Sequence, residues 1–103
     1  MELQLITCIV QRGEGDKIVK AALNSGAQGA TVFYARGSGV REKLGMMGAF
    51  IRPEKEVVLV VSSSDKAKDI FSAMIKAGRL DEPGKGFAFT QRVEKAVGLL
   101  EGS

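Results

Sequence analysis

The apolar and polar positions of this chain follow two periods, and their alternation along the chain predicts its secondary structure. Runs of apolar, β-branched and aromatic residues predict four strands, at about Leu3–Val10, Ala30–Arg36, Glu56–Val61 and Phe87–Thr90, the last with its continuation towards Val93 left open. The first and third of these runs are apolar at nearly every position, which is typical of strands that lie inside a sheet. The sequence therefore predicts two inner strands and two that complete the sheet.

Two other segments place apolar residues at helical spacing. The first spans about Asp16–Ser25, with Asp16 as the predicted N-cap and Gly26 just past the end as the C-cap. The second follows several capping oxygens at residues 62–65 and is closed by Gly78. Its apolar stripe consists of Ala67, Ile70, Phe71, Met74 and Ile75.

The resulting order, β-α-β-β-α-β, is that of the α+β ferredoxin-like fold, in which both helices lie on one face of a four-stranded antiparallel sheet. The 103 residues fit a single domain, residues 1–103. The inner strands are apolar on both faces, and leaving the second face in water costs about 25 cal/mol per Å². We therefore expect a homo-oligomer in which the sheets pack inward.

Composition excludes several classes of chemistry. Histidine is absent and cysteine occurs once, as Cys8 within an apolar strand, where we assign it no function. This excludes Ser/His/Asp and Cys/His nucleophile systems, histidine or cysteine-cluster metal sites, and an intrachain disulfide. No pair of carboxylates accompanies a nucleophile at a spacing typical of acid–base catalytic sites, so we expect no enzyme and no required metal.

Charge and hydropathy narrow the partners and the location. The net charge of +3 favours anionic partners without choosing among a nucleotide, a nucleic acid and an acidic protein surface. No apolar run approaches the roughly 20 residues of a transmembrane helix. The N-terminus lacks the basic patch and the small-residue cleavage site of a secretory signal. We therefore expect a cytoplasmic protein without membrane insertion.

Two glycine turns are the candidate ligand-binding elements. Gly37-Ser38-Gly39 follows the second strand, and Gly84-Lys85-Gly86 precedes the fourth. Glycine permits backbone angles closed to other residues and leaves main-chain amides open to an anion, and the two turns could face each other across a subunit cleft. Neither turn completes a Walker loop or a GxGxxG fingerprint. For either turn alone, a tight connection without a ligand is the structural alternative.

The segment between the second and third strands mixes cations with apolar side chains, a combination that indicates a docking surface. We predict that residues 40–52 contact a partner. The candidate contact residues are Arg41, Lys43, Leu44, Met46, Met47, Phe50 and Arg52.

A second function class is single-stranded RNA binding. The stretch from Lys85 to Phe89 matches the start of the RNP1 signature of RNA-recognition motifs, which share this element order. In those proteins the signature lies on the third strand, whereas here it falls on the fourth, and the first strand has no aromatic residue to stack a base. Phe87 and Phe89 are better interpreted as core or interface residues, and we expect no nucleic acid.

Three segments of the chain resemble a known family. GAQGATVFYARGSG, PGKGFAF and the following VEKAVG resemble, in the same order, the PII nitrogen-regulatory signalling proteins. The resemblance implies a homotrimer with an adenine nucleotide (ATP, ADP or AMP) between neighbouring subunits. It also implies a T-loop that docks on a target enzyme or a membrane transporter. By this resemblance the nucleotide-binding residues are Gly29, Thr31, Gly37, Ser38, Gly39, Gly84, Lys85 and Gly86.

The chain also departs from the family's pattern. Lys85 and Phe87 stand where the family commonly has an acidic residue and a phosphate-binding lysine, and Gly98 and Leu100 replace two arginines. Three hypotheses follow from the sequence. The first is a trimeric, PII-like nucleotide sensor that acts through residues 40–52. The second is a single-stranded RNA binder, and the third is a PII-shaped scaffold without a ligand.

Overall fold

One antiparallel sheet and two helices are formed by the residues that the computed structural model describes, 2–37 and 53–99. The strands lie in the order β2-β3-β1-β4. This arrangement confirms the predicted α+β ferredoxin-like fold. The elements are β1 (Leu3–Gln11), α1 (Gly15–Asn24), β2 (Thr31–Arg36), β3 (Glu54–Ser63), α2 (Ser64–Gly78) and β4 (Gly86–Val93).

The core lies between the two helices and one face of the two inner strands. Side chains alternate along a strand, so every second residue of β1 and β3 points towards the helices. The strand residues of this core are Ile6, Cys8, Val10, Val58 and Val60, all at most 1% exposed. They pack against the apolar stripes predicted for the helices, represented by Ile18, Ala22, Ala67, Ile70 and Met74.

Neither helix of residues 2–37 and 53–99 lies on the opposite face of the sheet, and we call it the open face. Strand pairing places Phe33, Val57, Ile9 and Phe87 side by side in one row across all four strands. The next row contains Leu59 and ends with Phe89, whose ring stacks on that of Phe87 with centroids 6.1 Å apart. The described strand residues of the open face are Leu3, Leu5, Thr7, Ile9, Gln11, Thr31, Phe33, Ala35, Lys55, Val57, Leu59, Val61, Ser63, Phe87, Phe89, Gln91 and Val93.

Strand β2 is more exposed than its composition predicts. It is an outer strand, and five of its six residues are exposed. The apolar residues of β2 remain exposed in the single chain because the helices cover mainly β1 and β3. Tyr34 is 70% exposed and is the most exposed aromatic side chain among the described residues.

Helix α1 begins through a contact that is distant in sequence. Asp16 is not the N-cap: the helix begins at Gly15, and the N-cap position is Glu14, whose side chain makes no capping hydrogen bond. Instead, the amide of Gly15 donates a hydrogen bond of 2.7 Å to Oε1 of the buried Glu56 on β3. This carboxylate satisfies one of the free amides that every helix N-terminus presents.

Both helices end in a Schellman motif, in which a left-handed residue turns the chain. In α1 this residue is Gly26, with φ of 114°, as the sequence predicts. In α2 it is Arg79, with φ of 53° and ψ of 44°, so Gly78 is not the closing residue and still lies within the helix. Gly78 is a glycine for a different reason: a Cβ there would lie 3.0 Å from Cδ1 of Ile18, where the two helices meet.

Replacement of Arg79 by glycine should stabilise the protein. A side chain in the left-handed conformation costs about 1 kcal/mol, which glycine does not incur. The matched control is Arg79→Ala, which also loses the exposed 3.4 Å ion pair with Glu82 but keeps a Cβ. We expect Arg79→Gly to exceed Arg79→Ala in free energy of unfolding by about 1 kcal/mol in urea titrations. Equal stabilities would contradict this account.

Candidate functional site

The two glycine turns lie at the same end of the sheet but on opposite outer strands. Gly37 follows the end of β2, and Gly84 to Gly86 lead into β4. Because β3 and β1 lie between them, three strand spacings separate the turns, or about 14 Å. Within one chain Gly37 and the Gly84 turn therefore lie apart. A single phosphate could contact both only if a second copy brought its own outer strand alongside.

The turn before β4 is shaped by the backbone of β1. Gly84 and Gly86 have φ of 81° and 129°, in the region that favours glycine. A Cβ on Gly86 would overlap the carbonyl oxygen of Ile9, so the strand contact by itself explains this glycine. The amide of Lys85 donates to the carbonyl of Glu82 at 3.4 Å. Because this amide is already paired, the cationic side chain of Lys85 is the candidate group of this turn for an anion.

Gly37 has a different environment. Its φ lies outside the left-handed region, and no atom lies within 4 Å of the position that a Cβ would take. Its amide donates a 2.9 Å hydrogen bond to the carbonyl of Pro53. The interpretation of this amide as open to an anion is therefore wrong. The hydrogen bond instead links the residue before the segment 38–52 to the residue after it.

Gly29 and Thr31 lie at the far end of β2. Thr31 lies six positions before Gly37, or roughly 20 Å in an extended strand. The side chain of Thr31 belongs to the open face, where its strand partner is Leu59. The structure thus places the described nucleotide-binding candidates in three places: the start of β2, the end of β2 and the start of β4.

Ser38 and Gly39 lie outside the described residues, as do all the predicted contact residues of the segment 40–52. These are Arg41, Lys43, Leu44, Met46, Met47, Phe50 and Arg52.

A cavity that sequence reasoning missed lies beside the end of β2. Its volume is about 350 Å³. The guanidinium of Arg12 lies over the ring of Tyr34, 5.3 Å from the ring centroid. Nη1 of Arg36 is 3.7 Å from Oε2 of Glu54. We call it the Arg12 cavity; its lining residues are Arg12, Tyr34, Ala35, Arg36, Glu54 and Lys55.

Part of the lining of this cavity could be predicted from the sequence. Tyr34 and Arg36 are two residues apart on β2, so strand alternation puts them on the same face. Arg12 carried no such signal, because it lies in the turn after β1. It reaches Tyr34 because β3 pairs with both β1 and β2, and its amide donates to the carbonyl of Glu54 at 3.3 Å.

The remaining chemically notable groups are the single cysteine and the acidic side chains. Cys8 is fully buried, and burial raises the pKa of its thiol to about 11, so the thiol is neutral at physiological pH. Within residues 2–37 and 53–99, no group of three or more histidine, cysteine, aspartate or glutamate side chains is arranged to hold a metal ion. None of the helices in these ranges is long and apolar enough to span a membrane.

The fold and these positions define a ferredoxin-like protein whose candidate ligand contacts lie at the edges of its sheet. The profile of the family described as nitrogen regulatory protein P-II matches residues 3–102. The chain therefore belongs to this family, which confirms the assignment made from its glycine-containing segments.

A solved structure shows the same fold. The chain is similar to the crystal structure of Arabidopsis thaliana PII bound to citrate, with a TM-score of 0.72 and 22% sequence identity. The match covers 99% of this chain and 87% of the Arabidopsis chain. At this identity the similarity establishes the fold alone. A search of curated protein sequences found no match.

Proposed function

We propose that this PII-type regulatory protein is a homotrimer that senses an adenine nucleotide and presents residues 40–52 to a target protein. The observation that carries the proposal is the position of the two glycine turns on opposite outer strands of an open-faced sheet. Only a neighbouring copy can bring such turns together. The protein acts in the cytoplasm, without catalytic activity of its own.

The open face supports association between copies. Phe33 and Phe87 are 46% and 57% exposed in the single chain, and apolar neighbours surround them. Among the described strand residues of this face only Lys55 is charged, and it is buried. A large uncharged apolar surface of this kind is stabilised when it is removed from water, at about 25 cal/mol per Å². Identical copies offer the matching surface, because each one presents the same face.

Nucleotide sensing follows from the family and the turns. Members of the P-II family bind adenine nucleotides. The Arabidopsis PII structure was obtained with citrate, which shows that this fold accommodates a polyanion in that protein. In this chain, Lys85 and the Gly84 turn would contact the phosphates. Gly29 and Thr31 would lie towards the base.

The effect on the target is a population shift. A ligand held between two copies favours those conformations of residues 40–52 that fit it, and the target binds a subset of them. The target is an enzyme or a membrane transporter, and the contact residues are those predicted between Arg41 and Arg52.

Size and nucleotide binding test the two halves of the proposal separately. Light scattering should give three times the mass of the 11.0 kDa chain. Calorimetric titration with ATP, ADP and AMP should show saturable binding of at least one of them.

Lys85→Gln should weaken that binding by about tenfold, because it removes one charge-assisted contact to phosphate. The matched control Lys68→Gln removes an exposed helical lysine and should have no effect.

Each result has a separate meaning. A monomer would overturn the trimer and the cleft together. A trimer that binds none of the three nucleotides would reject the sensing role and leave a scaffold. Equal weakening by Lys85→Gln and Lys68→Gln would show that general charge, not the turn, attracts the nucleotide.

RNA binding has one observation in its favour, the exposed stacked pair Phe87 and Phe89. The open face lacks the accompanying cations, since Lys55 is its single charged strand residue among those described, and RNA affinity depends on phosphate neutralisation. Phe89→Ala decides between the two: selective loss of RNA binding with an intact trimer would favour RNA, and dissociation of the trimer would favour the interface.

A further inference from the structure

Resting on the nucleotide sensing proposed above, we infer that the cleft selects a nucleoside monophosphate over a nucleoside triphosphate, and that Phe87 is a specificity-determining residue. The inference depends on what surrounds Lys85. Along the chain, two exposed carboxylates precede this lysine and an exposed aromatic ring follows it. One phosphate group can contact the lysine, whereas a longer phosphate chain that follows the turn meets either the carboxylates or the ring.

The charges of the turn cancel. Asp81 and Glu82 precede its glycines, and Arg79 is already paired, with its Nε 3.4 Å from Oε2 of Glu82. Together with Lys85, the segment 79–86 therefore has two positive and two negative side chains. Each added phosphate group increases the negative charge of the ligand, and the Coulomb energy scales with that charge. A turn without net charge gives a triphosphate no electrostatic advantage, and its carboxylates repel the additional phosphates.

The main chain of the turn does not compensate for the missing charge. Loops that bind a phosphate chain present several open amides in succession. Here the amide of Lys85 donates to the carbonyl of Glu82 at 3.4 Å, and the amide of Glu82 donates to the carbonyl of Arg79 at 3.0 Å. These hydrogen bonds interrupt the series of amides. The turn therefore suits a ligand that contacts it through the single side chain of Lys85.

Phe87 limits the length of the phosphate chain. It directly follows Gly86 and is 57% exposed, more than Phe33 or Phe89. Its ring stacks on that of Phe89, with centroids 6.1 Å apart and planes at 21°, which restrains its orientation. The face of a phenyl ring carries negative partial charge and offers no hydrogen-bond donor. A phosphate moved against this ring loses water without gaining a partner, which is costly for a charged group.

Calorimetric titration of the full-length protein with AMP and with ATP tests the inference. Ethylenediaminetetraacetic acid keeps both nucleotides free of metal ions, and sodium chloride keeps the ionic strength constant. We expect AMP to bind more tightly than ATP by about tenfold or more. ATP that binds as tightly as AMP, or more tightly, would overturn this inference and leave nucleotide sensing intact. Absence of binding to ATP, ADP and AMP would reject the sensing role and this inference with it.

Phe87→Lys should raise the affinity for ATP relative to that for AMP by about tenfold, because the new ammonium group pairs with an additional phosphate. The ratio of the two affinities is the readout, since a general loss of folding or assembly lowers both. If light scattering shows that Phe87→Lys breaks the trimer, Glu82→Gln is the second variant. It removes a carboxylate of the turn, leaves Arg79 unmatched and should shift the ratio in the same direction.

Asp65→Asn is the matched control for Glu82→Gln, because it makes the same change of charge at an exposed position. Asp65 lies in the first turn of α2, about 20 Å along the helix from Gly78, and its replacement should leave the ratio unchanged. A trimeric Phe87→Lys protein with the parent's ratio would overturn the role of Phe87. Equal shifts in Glu82→Gln and Asp65→Asn would show that the net charge of the protein, and not the turn, selects the nucleotide.

Discussion

Replacement of Gly86 by alanine should lower the free energy of unfolding by at least about 3 kcal/mol. Two effects add at this position. The φ of 129° is strained for any residue with a side chain, and the new Cβ would overlap the carbonyl oxygen of Ile9. The clash is with backbone in the paired strand β1, which cannot rotate away as a side chain would. Urea unfolding followed by far-ultraviolet circular dichroism, at fixed protein concentration, measures the loss.

Gly37→Ala is the matched control for this prediction. The same change at the other glycine turn meets open space and a backbone that alanine adopts freely, so stability should change by less than about 0.5 kcal/mol. A Gly86→Ala protein as stable as Gly37→Ala would contradict the close approach of the turn to β1. Since Gly86 has this structural role, loss of nucleotide binding in its variants would not identify a ligand contact, and Lys85 is the better probe.

Replacement of Glu56 by alanine should cost about 2–3 kcal/mol of unfolding free energy. The change removes the carboxylate that accepts the Gly15 amide and leaves that buried donor without an acceptor. Glu56→Gln keeps an acceptor oxygen and should cost about 1 kcal/mol, because a neutral acceptor binds an amide more weakly than a charged one. Urea unfolding measures both losses of free energy. A larger loss for Glu56→Ala than for Glu56→Gln shows that the missing acceptor matters beyond the missing charge.

Glu54→Ala is the internal control, since Glu54 is a carboxylate of the same strand whose ion pair with Arg36 is exposed. Its removal should change stability by less than about 0.5–1 kcal/mol. The reciprocal change, Gly15→Ala, places a Cβ against Oε1 of Glu56 and should destabilise the protein as strongly as Glu56→Ala. If Glu54→Ala and Glu56→Ala cost the same, the capping of α1 by β3 is not a significant source of stability.

The distinct roles of the glycines show how far a motif can be interpreted from sequence. Gly84 and Gly86 adopt the left-handed angles that glycine turns are expected to need, whereas Gly37 does not. Gly78 was predicted to close α2, but it is a helical residue at the contact with Ile18, and Arg79 takes the left-handed position. A glycine in the sequence therefore does not by itself indicate a constraint: Gly78 and Gly86 have one imposed by neighbouring atoms, whereas Gly37 does not.

The candidate site could likewise be predicted from the sequence only in part. Glycine content and the mixture of cations with apolar side chains indicated the two turns and the segment 40–52, and the family resemblance assigned them roles. Gly37 and the Gly84 turn lie at the same end of the sheet. Arg12 and Tyr34 were missed as a pair, because the turn after β1 and the strand β2 meet only through the register that β3 imposes.

The sequence by itself determined the order of the strands and helices, the face of each that is apolar, and the family. The element order and the apolar faces follow from local periodicity, which depends on residues three or four positions apart in helices and two apart in strands. The family follows from the resemblance of three sequence segments. Tertiary structure alone decided that Glu56 caps a helix that begins 41 residues earlier, that Ile9 forbids a side chain at Gly86, and that Arg12 faces Tyr34. Each of these contacts depends on strand order and register, which arise when the whole sheet forms and leave no periodic signal in the chain.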